Sequence, residues 1–385
     1  MHILKLIFKN AFRHKLRTFL TILGVAIAIL SFGLLRTVIS TWYLGVEQSS
    51  ATRLVTRNAI SLVFPLPLSY KEKIRQIEGV KNVSYGTWFG GIYIDEKHFF
   101  ANYAVEPITY LEIYPEIVIP DDQKETFFRD RKAAVAGRIL AEKYGWKIGD
   151  IITLKGTIYP GNWDFVLKGI YTGRDENVDE TAFVFHWAYL NETLKKTSAS
   201  RADRVGWYMI EITDPDLAAD VSLRIDRTFK NSLAETLTET EKAFMLSFIA
   251  MTEAIVIAIK LVSFVIIFII MVVVANTMAM TARERIGEYA IFKTLGFGGF
   301  HITGLVFGES LFITLTGAVL GIILTFPAAK IFGKTLSTYF PVFNVAPDTI
   351  YMDIGVSVLV AFVAAVFPTW RAIQIRIADG LRRIG

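Results

Sequence analysis

Four apolar stretches, set far apart along the chain, dominate its pattern of hydrophobic and polar positions. Thr18 to Leu35 carries no charge and is bracketed by Arg17 and Arg36; Leu261 to Ala282 is likewise uncharged. A third stretch covers His301 to Phe326, interrupted by Glu309 alone, and a fourth covers Ile354 to Trp370. Crossing a bilayer takes about 20 mostly apolar residues, because a helix satisfies its own backbone in lipid. Each stretch therefore predicts a transmembrane helix. One charge near the bilayer centre costs roughly 2.5–3.5 kcal/mol on insertion scales, so Glu309 does not disqualify the third. The first stretch has basic residues before it and an Ala26-Ile27-Ala28 triplet within it, as secretory signals do. It exceeds the roughly 7–15 residues of a signal core, and a retained helix is expected.

Basic residues set the direction of the spans. Lys5, Lys9, Arg13, Lys15 and Arg17 precede the first span. Arg283, Arg285 and Lys293 lie between the second and third, and Arg371, Arg376, Arg382 and Arg383 follow the fourth. Four spans place all three segments on one side, which the rule makes cytoplasmic, with both termini. The interval from about 40 to 250 then lies outside.

That interval reads as a folded α+β domain. Asn58–Phe64 and Val80–Ile94 are strand-like, and Ser69–Glu78 between them is helical in pattern and stops at Gly79. A second βα unit comes later, with Trp207–Thr213 as strand and Asp216–Phe229 as helix after Pro215. Between the two, Ala134–Tyr144 reads as helix, and Ile151–Ile158 and Phe165–Tyr171 as strands about a Pro160-Gly161 turn. Arg36–Arg57 and Leu233–Lys260 are helical in pattern and extend the first two spans as stalks. The expected fold is an α-helical membrane protein with four transmembrane helices plus a large extracytoplasmic α+β domain, a split βα lobe holding an inserted β-rich lobe. In order, the plan is a cytoplasmic amphipathic helix over 1–17, the first span over 18–39, and the extracytoplasmic domain with its stalks over 40–250. The second span follows over 251–282, then a cytoplasmic segment over 283–297 and the third span over 301–326. A short external loop over 327–350, the fourth span over 351–370 and a cytoplasmic tail over 371–385 complete it.

Composition agrees with a membrane protein: 53% of residues are hydrophobic and the mean hydropathy is +0.43. The net charge of +5 is small and flanks the spans rather than forming a stripe, so no nucleic-acid partner is expected. Cysteine is absent, which removes disulfides and thiolate chemistry. The five histidines are scattered without metal-ligand spacing, and no metal site is expected. Trp88, Trp146, Trp163, Trp187 and Trp207 are expected mostly as core or rim packing, and the acidic turn Asp175, Glu176, Asp179 and Glu180 as a solvated one. Asn191-Glu192-Thr193 fits a glycosylation sequon, a weak signal. No catalytic constellation and no cofactor site emerges, so the chain is not expected to be an enzyme. Within the spans, Lys260 is expected to snorkel outward. Glu309 is expected to accept hydrogen bonds between helices rather than bind cargo. Asn276 is a further intramembrane polar group.

The segment after the second span is the most informative. Ile286, Tyr289, Phe292 and Leu295 recur at three-residue steps, an apolar face drifting around a helix. Arg283, Glu284, Glu288 and Lys293 occupy other faces, and Gly296 fits a C-terminal cap. Such an amphipathic helix either lies in the headgroups or docks a cytoplasmic partner, and the pattern alone leaves both open.

Residues 276–296 resemble the MacB/FtsX-like ABC permeases, through Asn276-Thr277-Met278, Met280, Arg283-Glu284-Arg285, Glu288, Lys293 and Leu295-Gly296. Departures are Gly287 at a usually polar position, Tyr289 and Ala290 in place of isoleucine and glycine, and Thr294 in place of alanine. Asn10, Arg13, Lys15, Arg17-Thr18, Leu20-Thr21 and Leu23-Gly24 look like the family's start. Phe367-Pro368-Thr369-Trp370-Arg371-Ala372 and Leu381-Arg382 look like its end, although Ile377 stands where proline is common. Glu309, Gly317 and Gly321 fit as well. Over 40–250 the likeness is architectural, and includes Ala141-Glu142-Lys143-Tyr144-Gly145-Trp146 before Gly149-Asp150.

The resemblance implies a permease subunit in the bacterial inner membrane. It implies a pair of permeases, as homo- or heterodimer, with two copies of an ABC ATPase. ATP and magnesium would be bound by that ATPase, and a periplasmic adaptor or lipoprotein carrier is a further implied partner. Arg283, Glu284, Arg285, Glu288, Tyr289, Phe292, Lys293 and Gly296 would couple the chain to the ATPase, with Glu288 the principal polar contact. The implied function is ATP-driven motion of the external domain for export or extrusion of a substrate. The alternative is FtsX-like signalling to an external partner without cargo; FtsX-like division proteins usually have a smaller outer domain, which favours export. The nearest approach to a phosphate loop, Gly333-Lys334-Thr335, lacks its upstream glycine, which is Ala328 here.

The topology is testable directly. A reporter fused after Ile94 is expected to be extracytoplasmic and one fused after Gly296 cytoplasmic; both on one side would overturn four spans.

Overall fold

A computed structural model describes residues 2–47, 49–335, 340 and 342–374, with side chains from residue 7 onward except at residue 45. Arg376, Ile377, Leu381, Arg382 and Arg383 of the expected tail lie outside the described residues, as does the side chain of Lys5. The chain divides into a helical unit, built from 1–41, 252–334 and 343–385, and a β-rich unit, built from 42–251 with 335–342.

Among the described residues, four helices are long and apolar enough to cross a membrane: Lys15–Glu47, Glu253–Glu284, Gly299–Thr335 and Pro347–Gln374. Each outruns the apolar stretch that predicts it. The third continues through Pro327, where a stop was expected. A proline removes a single backbone donor, a loss that membrane helices tolerate. Lipid offers no driving force for hiding apolar side chains, and Phe264, Phe268, Val272 and Phe362 remain exposed on the helix surfaces. Close backbone contact holds the helices instead. A Cβ on Gly317 would lie 2.8 Å from the Ile22 carbonyl oxygen, and one on Gly321 would lie 2.7 Å from that of Ala26. These two glycines, one turn apart, let the third helix touch the first. Ser310 Oγ donates to the Ala361 carbonyl at 2.9 Å and ties the third helix to the fourth. The amphipathic helix His2–Ala11 leans on the third through Phe8 and Phe12, edge-on to Phe312, and through Ile7 in the notch at Gly308.

Among the described residues, the β-rich unit holds a mixed sheet of eleven strands and a two-stranded sheet that pairs Leu66–Pro67 with Arg204–Val205. Thr236–Thr240, Arg53–Asn58, Trp207–Ile212 and Val80–Trp88 lie side by side, all antiparallel. Val80–Trp88 then pairs Asn102–Val105, and the ladder continues through Phe183–His186, Ala133–Gly137, Gly161–Gly173 and Ile151–Gly156. The expected two lobes therefore share one ladder, and the inserted strands extend the sheet. Period-two alternation gives each face its own core. Leu54, Val83, Tyr85, Tyr208, Ile210, Phe183 and Phe185 pack under helices Tyr70–Arg75, Trp187–Thr197 and Ala218–Thr228. Val105, Val135, Tyr171 and Val184 face the opposite way, against Leu111 and Phe127.

Several elements differ from expectation, each for a tertiary reason. The helical reading of Arg36–Arg57 holds only to Glu47; Arg53–Asn58 is an interior strand, so Asn58–Phe64 contributes its first residue alone. In Leu233–Lys260, Thr236–Thr240 is a strand, joined to its neighbour by Thr56 and Thr238 hydroxyls 2.9 Å apart, before helices resume at Glu241. Ala133–Gly137 is strand rather than helix, with Arg138–Tyr144 the helix that follows. Alanine favours helix in isolation, but these residues are buried in mid-sheet, where only small side chains fit between the two cores. Asn191 is buried and exchanges hydrogen bonds with Asp203, so the sequon's acceptor faces inward. Glu180, expected in a solvated turn, is buried and pairs with Arg138 at 2.7 Å.

Gly321→Leu is expected to force the first and third helices apart, costing about 1–3 kcal/mol or more. Gly304→Leu, at a position with nothing within 4 Å of its Cβ, should be neutral. Denaturant titration of the purified chain checks the pair; equal stability of the two variants would refute the contact.

Candidate functional site

The second long helix ends at Glu284, and Arg285 leaves helical geometry with φ −105° and ψ 14°. A separate short helix, Ile286–Thr294, then runs to Gly296, whose φ is +88°. The Gly296 amide donates to the Lys293 carbonyl at 3.1 Å and the Phe297 amide to the Phe292 carbonyl at 3.0 Å. This is the Schellman end that a left-handed glycine permits.

Ion pairs fix the segment at its N-terminal end and a hydrogen bond to a backbone carbonyl holds its C-terminal end. Arg285, with 5% of its side chain exposed, donates from Nη1 to Glu309 Oε2 at 3.0 Å and from Nε to Glu288 Oε2 at 2.9 Å. Glu309 is buried in the third long helix, its side chain 4% exposed. Glu288 also pairs with Arg13, 275 positions earlier in the chain. Burial alone would push the Glu288 carboxyl up, but the Arg285 and Arg13 guanidiniums hold it below the usual carboxylate range. One turn back, Arg17 grips Glu284 through a two-pronged contact at 2.9 and 2.7 Å, and His14 Nε2 lies 3.2 Å from the same carboxylate. Lys293 donates to the Ile373 carbonyl at 2.6 Å, at the end of the fourth helix. The short helix is thereby fastened to the N-terminal segment and to the second, third and fourth helices.

This geometry redistributes the expected contact residues. Arg285 and Tyr289 are buried within the chain, the Arg285 guanidinium 5.4 Å from the Tyr289 ring centre, so neither is available to a partner. Phe292 is half-buried against Phe297, and Glu288 is engaged internally. The resemblance made Tyr289 a contact for the ATPase; packing on the bundle turns it inward. The short helix leaves Ile291 and Leu295 outward, four residues apart, with Gly287 half-buried one turn before them; Arg283, also exposed, lies at the end of the second long helix. The i, i+4 repetition is the sequence signal that would have found Ile291. Glu309 accepts a hydrogen bond, as expected, but from the Arg285 side chain of the loop rather than from another span. Asn276 is exposed on the second helix, and Lys260 is exposed as well. No group of histidine and carboxylate side chains among the described residues is arranged to hold a metal ion.

Residues 260–377 match the FtsX-like permease C-terminal family, which takes in the last three long helices and the short helix between them. Over 347 residues the chain is 25% identical to an uncharacterised ABC transporter permease of Methanocaldococcus jannaschii, spanning 84% of this chain and 82% of that protein. Among solved structures, the extracellular domain of the noncanonic ABC-type transporter YknZ from Gram-positive bacteria matches with TM-score 0.37 and 11% identity. It covers 49% of this chain and 100% of its own. The periplasmic region of MacB from Actinobacillus actinomycetemcomitans matches with TM-score 0.37 and 9% identity, covering 53% of this chain and 95% of its own. The family match lies on the segment whose ion pairs bind the helices together, and the full-length likeness is to an ABC transporter permease.

Proposed function

We propose that this permease passes motion from a separate ABC ATPase, through residues 283–297, to the β-rich unit for export or extrusion of a substrate outside the membrane. One observation carries the reading: the short helix is anchored inward by the buried Arg285–Glu309 pair and leaves a ridge of Ile291 and Leu295 outward. A helix so fastened transmits a push to the spans rather than bending away from it. The exposed ridge offers apolar area of the kind that anchors interfaces. In this reading both termini and the short helix are cytoplasmic, in the cytoplasmic membrane, and the β-rich unit is external. Two permeases would assemble with two ATPase subunits, which bind ATP and magnesium. The size of the β-rich unit supports extrusion over signalling alone.

Two predictions separate docking from transmission. Leu295→Asp and Ile291→Asp are expected to weaken ATPase recruitment at least about tenfold, given roughly 2 kcal/mol for an interface anchor, without altering thermal stability. Pull-down of the ATPase with the purified permease measures this; undiminished recruitment by both would sink the docking surface. Glu309→Gln leaves the buried Arg285 with Glu288 as its remaining carboxylate and is expected to destabilise the chain by about 1–3 kcal/mol. In nanodiscs it should still recruit the ATPase but lose most stimulation of ATP turnover. Adding Arg285→Gln should cost less than the sum of the two singles, as in a direct pair.

A further inference from the structure

The β-rich unit contains a cavity of about 810 Å³ that the coupling reading does not use. Its size lies within the roughly 300–1,000 Å³ of small-molecule sites. Its floor is the sheet face opposite the larger core: Val55, Met209 and Val105 point into it, while their chain neighbours Leu54, Ile210 and Ala104 point into that core. Trp88, Tyr103 and Trp207 form a row of rings across three adjacent strands, Trp88 and Tyr103 with centroids 5.2 Å apart, Tyr103 and Trp207 6.1 Å apart. Gly86 makes room for the row, since a Cβ there would meet the Trp207 indole at 3.2 Å. One wall is the apolar face of helix Glu241–Met251, carrying Phe244, Met245 and Phe248.

The charges at the cavity are unequal. Glu241 is engaged inward, accepting from Arg53 Nε at 2.7 Å and from the Ser50 amide at 2.9 Å, with Arg53 shared with Glu116 at 2.6 Å. Arg201 and Arg204 at the rim are exposed, and neither is in an ion pair among the described residues. Arg201 donates to the Ile158 carbonyl at 2.8 Å, which leaves its charge uncompensated. The carboxylate between them in sequence, Asp203, is engaged by Asn191 at 2.8 Å and Lys195 at 3.4 Å. An apolar, aromatic-lined concavity with uncompensated positive charge at its mouth matches a molecule with an apolar body and an anionic head. A flat protein partner would not fill it.

We propose that this cavity binds a single-chain anionic amphiphile, its tail against Trp88, Tyr103 and Trp207 and its head at Arg201 and Arg204. The head draws on charge-assisted hydrogen bonds, the tail on burial against the rings. Binding is a property of the β-rich unit and needs no ATPase, so its failure would leave the coupling reading untouched.

The test uses the full chain in nanodiscs and a palmitate analogue bearing a mid-chain photoreactive diazirine, with cross-linked peptides located by mass spectrometry. Saturable labelling is expected within 207–209 and 244–248, competed by unlabelled palmitate. Arg201→Glu with Arg204→Glu should reduce that labelling about tenfold, the worth of one lost charged hydrogen bond or more, and leave labelling of the spans unchanged. Both arginines are exposed, so the double variant should fold; its thermal unfolding checks this. Met209→Trp, which fills the cavity, should remove the same labels. The corresponding long-chain alcohol should label these peptides weakly. Labels confined to the spans, equal labelling by acid and alcohol, labels indifferent to the arginine change, or a chain-to-chain product at the cavity would each overturn the proposal.

Discussion

A guanidinium and a carboxylate that are both almost wholly buried can persist only together, and the helical unit is arranged around that requirement. Removing either charge from water is expensive, and close pairing with further hydrogen bonds is what offsets it. Arg285 sits where the second helix breaks, and Glu309 sits inside the third. Their pairing fixes the direction in which the short helix leaves the second. Glu288 extends the network to Arg13, and Glu284 to Arg17 and His14, so the N-terminal segment is bound into the same array. The charges that look like an exposed docking surface in sequence are largely internal fasteners.

The same unit relies on close approach elsewhere. Gly317 and Gly321 remove the side chains that would separate the third helix from the first, while large apolar residues stay on the outside. Lipid rewards neither burial nor exposure of leucine, so small residues decide which helix faces meet. The β-rich unit follows the opposite rule. There, burial of aromatic and branched side chains against water drives folding, and each strand sends alternate residues into different cores. On the second face, Trp88, Tyr103 and Trp207 line a cavity beside helix Glu241–Met251; Trp146, Trp163 and Trp187 are buried as core.

Much of the fold is legible one segment at a time. The spans are evident because hydrophobicity adds along a contiguous stretch, and the helix end at Gly296 because one residue type tolerates left-handed backbone. Strand Trp207–Ile212, and strands Ile151–Gly156 and Gly161–Gly173 about their turn, follow from alternation and turn residues. Ala133–Gly137 does not, since its strand state comes from neighbours on both sides rather than from its own preference. Thr236–Thr240 is hidden for a related reason: it is read as strand only once its partner, Arg53–Asn58, is in place.

By itself, then, the sequence determined four membrane-length helices, an α+β domain between the first two, and a short amphipathic helix with the residues of a family motif. These depend on local composition and period, which a single strip of residues carries. Only the tertiary structure decided which face of that helix is outward, that Arg285 closes on Glu309, that Arg13 reaches Glu288, and that three aromatic rings share a cavity. Each joins groups brought together by folding, some from opposite ends of the chain, and the energy of a contact between distant residues is written in no segment alone.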